Sequence, residues 1–336
     1  MFRMPPEWTP HDAVWTAWPH LAEQWAEGLA APRAALARMI AAIVDLELGG
    51  ETPRGERVEL VVRDASDEAE ARALLGRAAA GVRFHHGRYG DVWLRDTGPI
   101  FVARPGELAT VRFGFDGWGG KYVMDGDREV AAQVVAWSGV GGAAFDFVLE
   151  GGAVDVDGTG RVLTTRQCLL DGVRNPALDA AALEARLGWA LGADRVIWLD
   201  RGLANDHTDG HVDTIARFVA PGVVTCMIPE SGDPNADALA QIARDLELAK
   251  LDVVALPSPG AVLDAAGNLM PASYTNFYIA NTTVVVPTYG VPADDAALAA
   301  IQAMFPSRRA VAVDGKPVVV GGGAFHCCTQ QQPRAT

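Results

Sequence analysis

Residues 96–113, DTGPIFVARPGELATVRF, place a carboxylate just before two apolar runs that a Pro-Gly turn joins. The runs 100–103 and 108–113 predict a β-hairpin, because Pro-Gly is typical turn chemistry between short strands. Runs of the same kind predict three more hairpins, at 153–156 with 162–165, 215–220 with 223–228, and 277–280 with 284–288. A polar motif therefore precedes a hairpin at several places along the chain.

Ala-rich segments with apolar residues three to four positions apart alternate with these hairpins, a spacing that predicts helices. The predicted helices lie at 31–46, 66–80, 178–191, 234–249 and 293–304. Each is followed by a short β-branched run that predicts a strand, at 57–63, 82–84, 195–199, 251–256 and 309–313. The recurring unit is thus a polar motif, a hairpin, a helix and a strand.

The polar motifs recur at intervals near 60 residues, which indicates an internal repeat. Asp96, Glu150, His211, Asn276 and Cys327 are spaced 54, 61, 65 and 51 positions apart. One such unit cannot bury its apolar face alone, whereas about five in a ring share a core. We therefore predict a single α/β domain over residues 1–336, in which the last strand pairs with residues 15–18 and the polar motifs meet at one end of a central axis.

Composition narrows the class of ligand. The 336 residues carry 42 acidic and 28 basic side chains, a formal net charge of −14. This charge disfavours nucleic acid and anionic membranes as partners and favours a cationic ligand. The four cysteines are too few for a disulfide framework, and neither a spanning apolar run nor a leader-type segment stands out, so we expect a cytoplasmic protein.

Two motifs carry the most reactive side chains. Three glycines at 321–323 precede Cys327, where a thiolate would be an accessible nucleophile, although a plain turn into the last strand is the simpler alternative. His211 and Asp213 are two positions apart, which would place them on one face at the start of a strand. His207, Asp209, His211 and Asp213 alternatively fit the pattern of metal ligands.

Asp96 and Glu150 each stand at a glycine-containing corner before a hairpin. Taken singly, Asp96 could equally form a surface ion pair with Arg95, and Glu150 could equally be an acidic residue in a loop. Together with Asp213 they suit a guanidinium, because carboxylates accept its N–H groups in pairs. A thiolate can attack the central carbon and a histidine can move the protons, so this chemistry requires no metal or other cofactor.

These residues resemble the agmatine deiminase family, within the pentein superfamily of guanidine-modifying enzymes. The resemblance rests on motifs in the family's order, at 4–11, 15–19, 93–99, 115–121, 149–152, 209–219, 274–281 and 321–333. It implies a pentein α/β-propeller of five ββαβ-type repeats around a pseudo-fivefold axis. It also implies that no cofactor is needed and that the chain forms a homodimer.

Site roles are carried over from the same resemblance. It implies that Cys327 is the nucleophile and forms a covalent S-alkylthiouronium, with His211 as general acid/base. Asp96 and Asp213 would clamp the guanidinium, with Glu150 and Asn276 beside them. From the residues themselves, Trp93 and Trp118 could stack on the cationic end of the substrate, and each could equally well pack at a corner of the fold. The chain departs from the family pattern at Asp116, Thr214, Ala324 and Cys328, none of which removes a reacting group.

The predicted reaction is the hydrolysis of agmatine to N-carbamoylputrescine and ammonia. Deimination of peptidyl-arginine or another guanidino compound by the same mechanism is the nearest alternative. Arg95, Arg217 and Lys121 are the only basic residues near the motifs, which favours a substrate without an α-carboxylate. A metal-dependent hydrolase and a catalytically silent binding module remain as further alternatives.

Overall fold

The computed structural model describes residues 1–25, 27–50 and 52–335. Its strands are β1 (His11–Ala17), β2 (Arg57–Val62), β3 (Val82–His86), β4 (Ile100–Arg104), β5 (Glu107–Gly114), β6 (Gly142–Val148), β7 (Asp155–Val156), β8 (Arg161–Thr165), β9 (Arg195–Leu199), β10 (Ala216–Ala220), β11 (Val223–Ile228), β12 (Asp252–Pro257), β13 (Tyr278–Ile279), β14 (Thr283–Thr288), β15 (Arg309–Asp314) and β16 (Gln330–Pro333). Its α-helices are α1 (Ala30–Val44), α2 (Ala65–Leu75), α3 (Leu94–Thr97), α4 (Asp127–Ser138), α5 (Arg166–Leu169), α6 (Ala180–Leu191), α7 (Ala236–Leu248), α8 (Asp294–Met304) and α9 (Lys316–Val319).

The strands form five small sheets of one design. In each, an antiparallel pair is extended by a parallel strand, which the chain reaches through a helix, as β4 and β5 are extended by β6 through α4. The other three-stranded sheets are β7-β8-β9, β10-β11-β12 and β13-β14-β15, and the four-stranded one is β16-β1-β2-β3. The predicted repeat is therefore confirmed.

Apolar spacing explains how each helix covers its sheet. In α7, Leu239, Ile242 and Leu246 are buried and lie about one helical turn apart, so they form one stripe against β11 and β12. Of the helices in the described ranges, none has the length and apolarity needed to cross a membrane.

The ring closes through the chain ends, as predicted. β16 pairs antiparallel with β1, with Trp15 opposite Gln330. Neighbouring units also contact one another, β16 with β4, β7 with β10 and α8 with β12, and α1 of the first unit packs on β14 and β15 of the last. Besides the short helices α3, α5 and α9, two longer elements were missed: α4 buries only Asp127, Val130 and Val134, and most of β6 is exposed, so neither carries a strong apolar pattern.

A group of buried charges lies where the five sheets meet. We call Glu7, Arg95, Asp155, Arg217 and His326 the central ion cluster. The Glu7 carboxylate lies 3.0 Å from Arg95 Nη2, 3.0 Å from Arg217 Nη2 and 2.9 Å from His326 Nε2, and it accepts the N–H of Ile279 at 2.8 Å. Arg217 also contacts Asp155 at 3.2 Å. Buried charges are tolerated only when paired and hydrogen-bonded in this way.

Arg95→Met should lower the free energy of unfolding by about 3–5 kcal/mol, because it removes one partner of a buried ion cluster. Arg88→Met is the matched control, since the Arg88–Asp125 pair is exposed and such pairs contribute about 1 kcal/mol or less. Urea denaturation followed by tryptophan fluorescence measures both. Equal losses in the two variants would show that the cluster does not stabilise the fold.

Candidate active site

A cavity of about 170 Å³ opens beside Cys327. Four of the eight predicted site residues line it, namely Trp93, Asp96, Trp118 and Cys327. The other lining residues are Glu23, Gln24, Asp91, Tyr122, Met124, His207, Thr208, Val320 and Gly321, Gly322 and Gly323. Glu150, His211, Asp213 and Asn276 are fully buried in a layer behind this lining.

Two glycines allow the site to be this compact. A Cβ on Gly152 would lie 2.6 Å from His211 Nδ1, 2.9 Å from Asp96 Oδ1 and 3.1 Å from Asp213 Oδ2. A Cβ on Gly323 would lie 2.9 Å from Cys327 Sγ. Close backbone approach therefore requires glycine at both positions, as the glycine-rich turn predicted.

Asn276 holds the turn that carries the thiol. Its Oδ1 accepts the backbone N–H groups of Ala324 at 3.0 Å and Cys327 at 3.3 Å, and its Nδ2 donates to Cys327 Sγ at 3.1 Å. Burial, followed by the charges of Asp213 and Asp96, raises the pKa of the Cys327 thiol well above its usual value, and the Asn276 hydrogen bond opposes that rise.

The carboxylates of Asp213 and Asp96 flank the thiol and have different hydrogen-bond partners. Asp213 Oδ2 lies 3.4 Å from Cys327 Sγ and accepts from His326 Nδ1 at 2.7 Å, while its buried Oδ1 has no hydrogen-bond partner among the described residues. Asp96 accepts from Trp118 Nε1 and from the Gly152 N–H, both at 2.9 Å. Burial and the neighbouring carboxylates raise the pKa of Asp96 well above its usual value.

His211 lies between carboxylates without a hydrogen bond to either. Its Nδ1 is 3.7 Å from Asp96 Oδ1 and its Nε2 is 4.0 Å from Glu150 Oε2. Burial lowers the pKa of His211 to about 3, so the imidazole is neutral at neutral pH. It does not lie on a strand as predicted, because a 3₁₀ turn at Val212–Thr214 comes before β10 and places Asp213 towards Cys327.

Glu150 faces an arginine rather than the cavity. Arg174 Nε donates to both Glu150 oxygens, at 2.8 and 3.0 Å. Burial raises the pKa of Glu150, and the Arg174 guanidinium opposes that rise. Direct contact between Glu150 and a substrate therefore stays a prediction, as do the contacts proposed for Asp213 and Asn276.

The residues of the metal alternative do not come together. Asp209 contacts Lys121 at 2.7 Å and Arg174 at 2.9 Å, and the His207 ring lies 5.6 Å from that of Tyr122. Within the described part of the chain, the one cluster with metal-ligand spacing is Glu150, Cys168 and His211. The Arg174 cation already occupies the carboxylate of that cluster, which disfavours a second cation there.

Sequence reasoning missed Glu7, Arg174 and His326. Glu7 and His326 lie within quoted motifs, but their partners are distant in sequence, and Arg174 lies in no motif. The surface ion pair considered for Arg95 is wrong, since Arg95 is 1% exposed and contacts Glu7.

Five ββαβ units whose polar corners meet at one cavity define a pentein, the fold class predicted above. The family model that describes the Porphyromonas-type peptidyl-arginine deiminases matches residues 3–333. The chain belongs to this family.

Curated relatives and a solved structure cover nearly the whole chain. Agmatine deiminases of Pseudomonas aeruginosa (strain UCBPP-PA14) and Ectopseudomonas mendocina (strain ymp) are 35% and 36% identical to it, and each alignment covers 99% of this chain and 95% of the relative. The structure of the agmatine deiminase of Enterococcus faecalis superposes with a TM-score of 0.90 at 34% identity, covering 100% of this chain and 96% of that one.

Asn276→Asp should raise the pKa of the Cys327 thiol further, because a carboxylate replaces the N–H donor while an oxygen remains for the two backbone donors. The pH dependence of Cys327 alkylation, followed by peptide mass spectrometry, measures the shift. Asn268→Asp, at an exposed turn, is the control and should leave the profile in place. A profile that is unchanged in both variants would contradict the assignment of Asn276 to the thiol.

Proposed function

We propose that the chain is a single catalytic domain that hydrolyses agmatine to N-carbamoylputrescine and ammonia through Cys327. One observation carries the proposal: the thiol faces a cavity whose charged lining residues are carboxylates. Among the described residues these are Glu23, Asp91 and Asp96, and no lysine or arginine lines the cavity. Such a site favours a cation at both ends of the bound molecule.

Agmatine fits this charge pattern better than free arginine does. Agmatine carries a guanidinium at one end and a primary ammonium at the other, whereas arginine adds an α-carboxylate. The basic residues that could receive that carboxylate are already engaged, Arg95 and Arg217 with Glu7, and Lys121 with Asp209. The relatives reported above are themselves named agmatine deiminases, which supports the same substrate.

Substrate binding would ionise the nucleophile. A guanidinium between Asp96 and Asp213 supplies the positive charge that Asp96 lacks. The same charge offsets the repulsion that raises the pKa of the thiol. Cys327, whose Sγ lies 3.4 Å from Asp213 Oδ2, then gives its proton to the neutral imidazole of His211 as the thiolate attacks the central guanidinium carbon.

Proton transfers by His211 complete both half-reactions. In the first, a C–N bond breaks, the departing nitrogen takes the thiol's proton from His211 and leaves as ammonia, and the S-alkylthiouronium remains on Cys327. In the second, neutral His211 takes one proton from water and the water oxygen adds to the same carbon. The C–S bond then breaks, the second water proton passes to the sulfur to restore the thiol, the ureido product leaves, and His211 releases its proton to solvent. Glu150, 4.0 Å from Nε2, would stabilise the imidazolium that forms.

Peptidyl-arginine remains the second substrate to test, because the matching family model is named for it. The indoles of Trp93 and Trp118 line the cavity and would contact the substrate chain in either case. The homodimer implied by the family resemblance also stays a prediction.

The purified protein should release ammonia and a ureido product from agmatine, and Cys327→Ser should abolish both. Arginine and a blocked arginine peptide, assayed in parallel, test the substrate assignment. A chelator should leave the rate unchanged, since the proposed steps use only side chains and water.

Product from the peptide alone would contradict the assignment of agmatine as the substrate but would remain consistent with the proposed mechanism. No product from any of the three substrates, with protein that is folded by circular dichroism, would favour a binding module. Activity that persists in Cys327→Ser would overturn the nucleophile.

Glu23→Gln should raise the KM for agmatine about two- to fivefold, because an exposed ion pair contributes up to about 1 kcal/mol. The effect on butylguanidine, which lacks the distal ammonium, should be smaller. Glu27→Gln changes a nearby exposed carboxylate that does not line the cavity and serves as the control. Equal effects of Glu23→Gln on both substrates would place the ammonium elsewhere.

A further inference from the structure

His326 connects the central ion cluster to the thiol. Its Nε2 lies 2.9 Å from Glu7 Oε2 and its Nδ1 lies 2.7 Å from Asp213 Oδ2, the same oxygen that is 3.4 Å from Cys327 Sγ. The four side chains of Glu7, His326, Asp213 and Cys327 are all buried, at 4% exposure or less. A continuous path of contacts thus runs from the meeting point of the sheets to the proposed nucleophile.

Both ring nitrogens of His326 face carboxylate oxygens, which are acceptors only. A neutral imidazole has one N–H and would turn the lone pair of its other nitrogen towards a carboxylate. An imidazolium donates to Asp213 and directs its second N–H towards the Glu7 oxygen, which lies 2.9 Å from Nε2. Charge balance agrees, because a protonated His326 gives three cations, with Arg95 and Arg217, against the three anions Glu7, Asp155 and Asp213.

We propose that His326 is a buried imidazolium that acts as a positioning residue, fixing the Asp213 carboxylate in its ionised form and aiming it at Cys327 and the guanidinium. The proposal rests on the proposed function for its catalytic consequence, but the charge of His326 can be tested without substrate. His326 itself does not contact the cavity in this arrangement and acts through Asp213.

The surroundings of Asp213 support this role. Burial raises the pKa of Asp213, but the hydrogen bond and the charge of His326, together with His211 and Arg217, outweigh it and hold that pKa below its usual value. The other charged and titratable groups around the pair are Glu7, Arg95, Asp155 and Arg217 on the cluster side and Asp96, Asp206, His211 and Cys327 on the cavity side. Without His326, Asp213 would therefore be a buried carboxylate with Arg217 as its main remaining fixed cation.

The pH profile of kcat/KM for agmatine tests the catalytic consequence. His326→Gln should move the acid limb of the profile to higher pH, because Asp213 must then ionise without its partner. Below that limb, activity should fall about tenfold per pH unit and recover as the pH rises. A purely structural effect would lower the profile evenly at all pH values.

His85→Gln is the matched control, since His85 donates to the buried carboxylate of Glu59 at 2.6 Å in the first sheet, away from the cavity. It should leave the acid limb where it is. An unmoved limb in His326→Gln, or an equal shift in both variants, would overturn the proposal.

Nitrogen-15 NMR of the histidine rings in the unmodified protein gives a readout that needs neither activity nor a folded variant. The His326 ring, as the histidine with carboxylate oxygens 2.7 and 2.9 Å from its two nitrogens, should show two protonated nitrogens. Seven ring spectra without such a signal would overturn the proposal. The signal with no turnover of agmatine would instead reject the proposed function and leave the charge of His326 established.

Discussion

The Glu7 carboxylate is the group around which the five sheets are arranged. A buried carboxylate is costly unless donors surround it, and those of Glu7 come from four different repeat units, while Arg217 extends the cluster to Asp155 of the fifth. No single unit can satisfy this charge. The buried charges of the central ion cluster are therefore neutralised only when the ring is closed. A unit that is out of place leaves a buried ion without a partner.

The charges of the candidate active site depend on the central ion cluster. His326 belongs to the cluster and contacts Asp213, so the folded core fixes one carboxylate as an anion beside the thiol. On the other side, Asp96 has no cation of its own and its pKa is raised. The result is a thiol that stays protonated in a negatively charged site. Reactivity then depends on an incoming cation, which restrains the cysteine from attacking neutral electrophiles.

Local patterns made much of this architecture predictable. Pro-Gly and similar turns mark the hairpins, and the spacing of Asp96, Glu150, His211, Asn276 and Cys327 indicates that their corners converge. The ion-pair partners of the buried charged residues were not predictable, because tertiary contacts determine them. Glu7 contacts residues from distant parts of the chain, and Glu150 contacts Arg174, which lies in no repeat motif. The helix α4 and strand β6 were missed because their surfaces are largely exposed and lack a clear apolar period.

Three of the four departures from the family pattern, Ala324, Thr214 and Asp116, make hydrogen bonds that involve backbone atoms. The Ala324 N–H donates to Asn276 Oδ1, a contact that any residue at 324 can make. Thr214 Oγ1 bonds the carbonyl of His211, and the Asp116 carboxylate accepts the Gly119 N–H within the loop that carries Trp118. Each change therefore preserves the position of the group next to it. Asp116 also adds negative charge near Glu150 without lining the cavity, which is the charge that the proposed dicationic substrate would require.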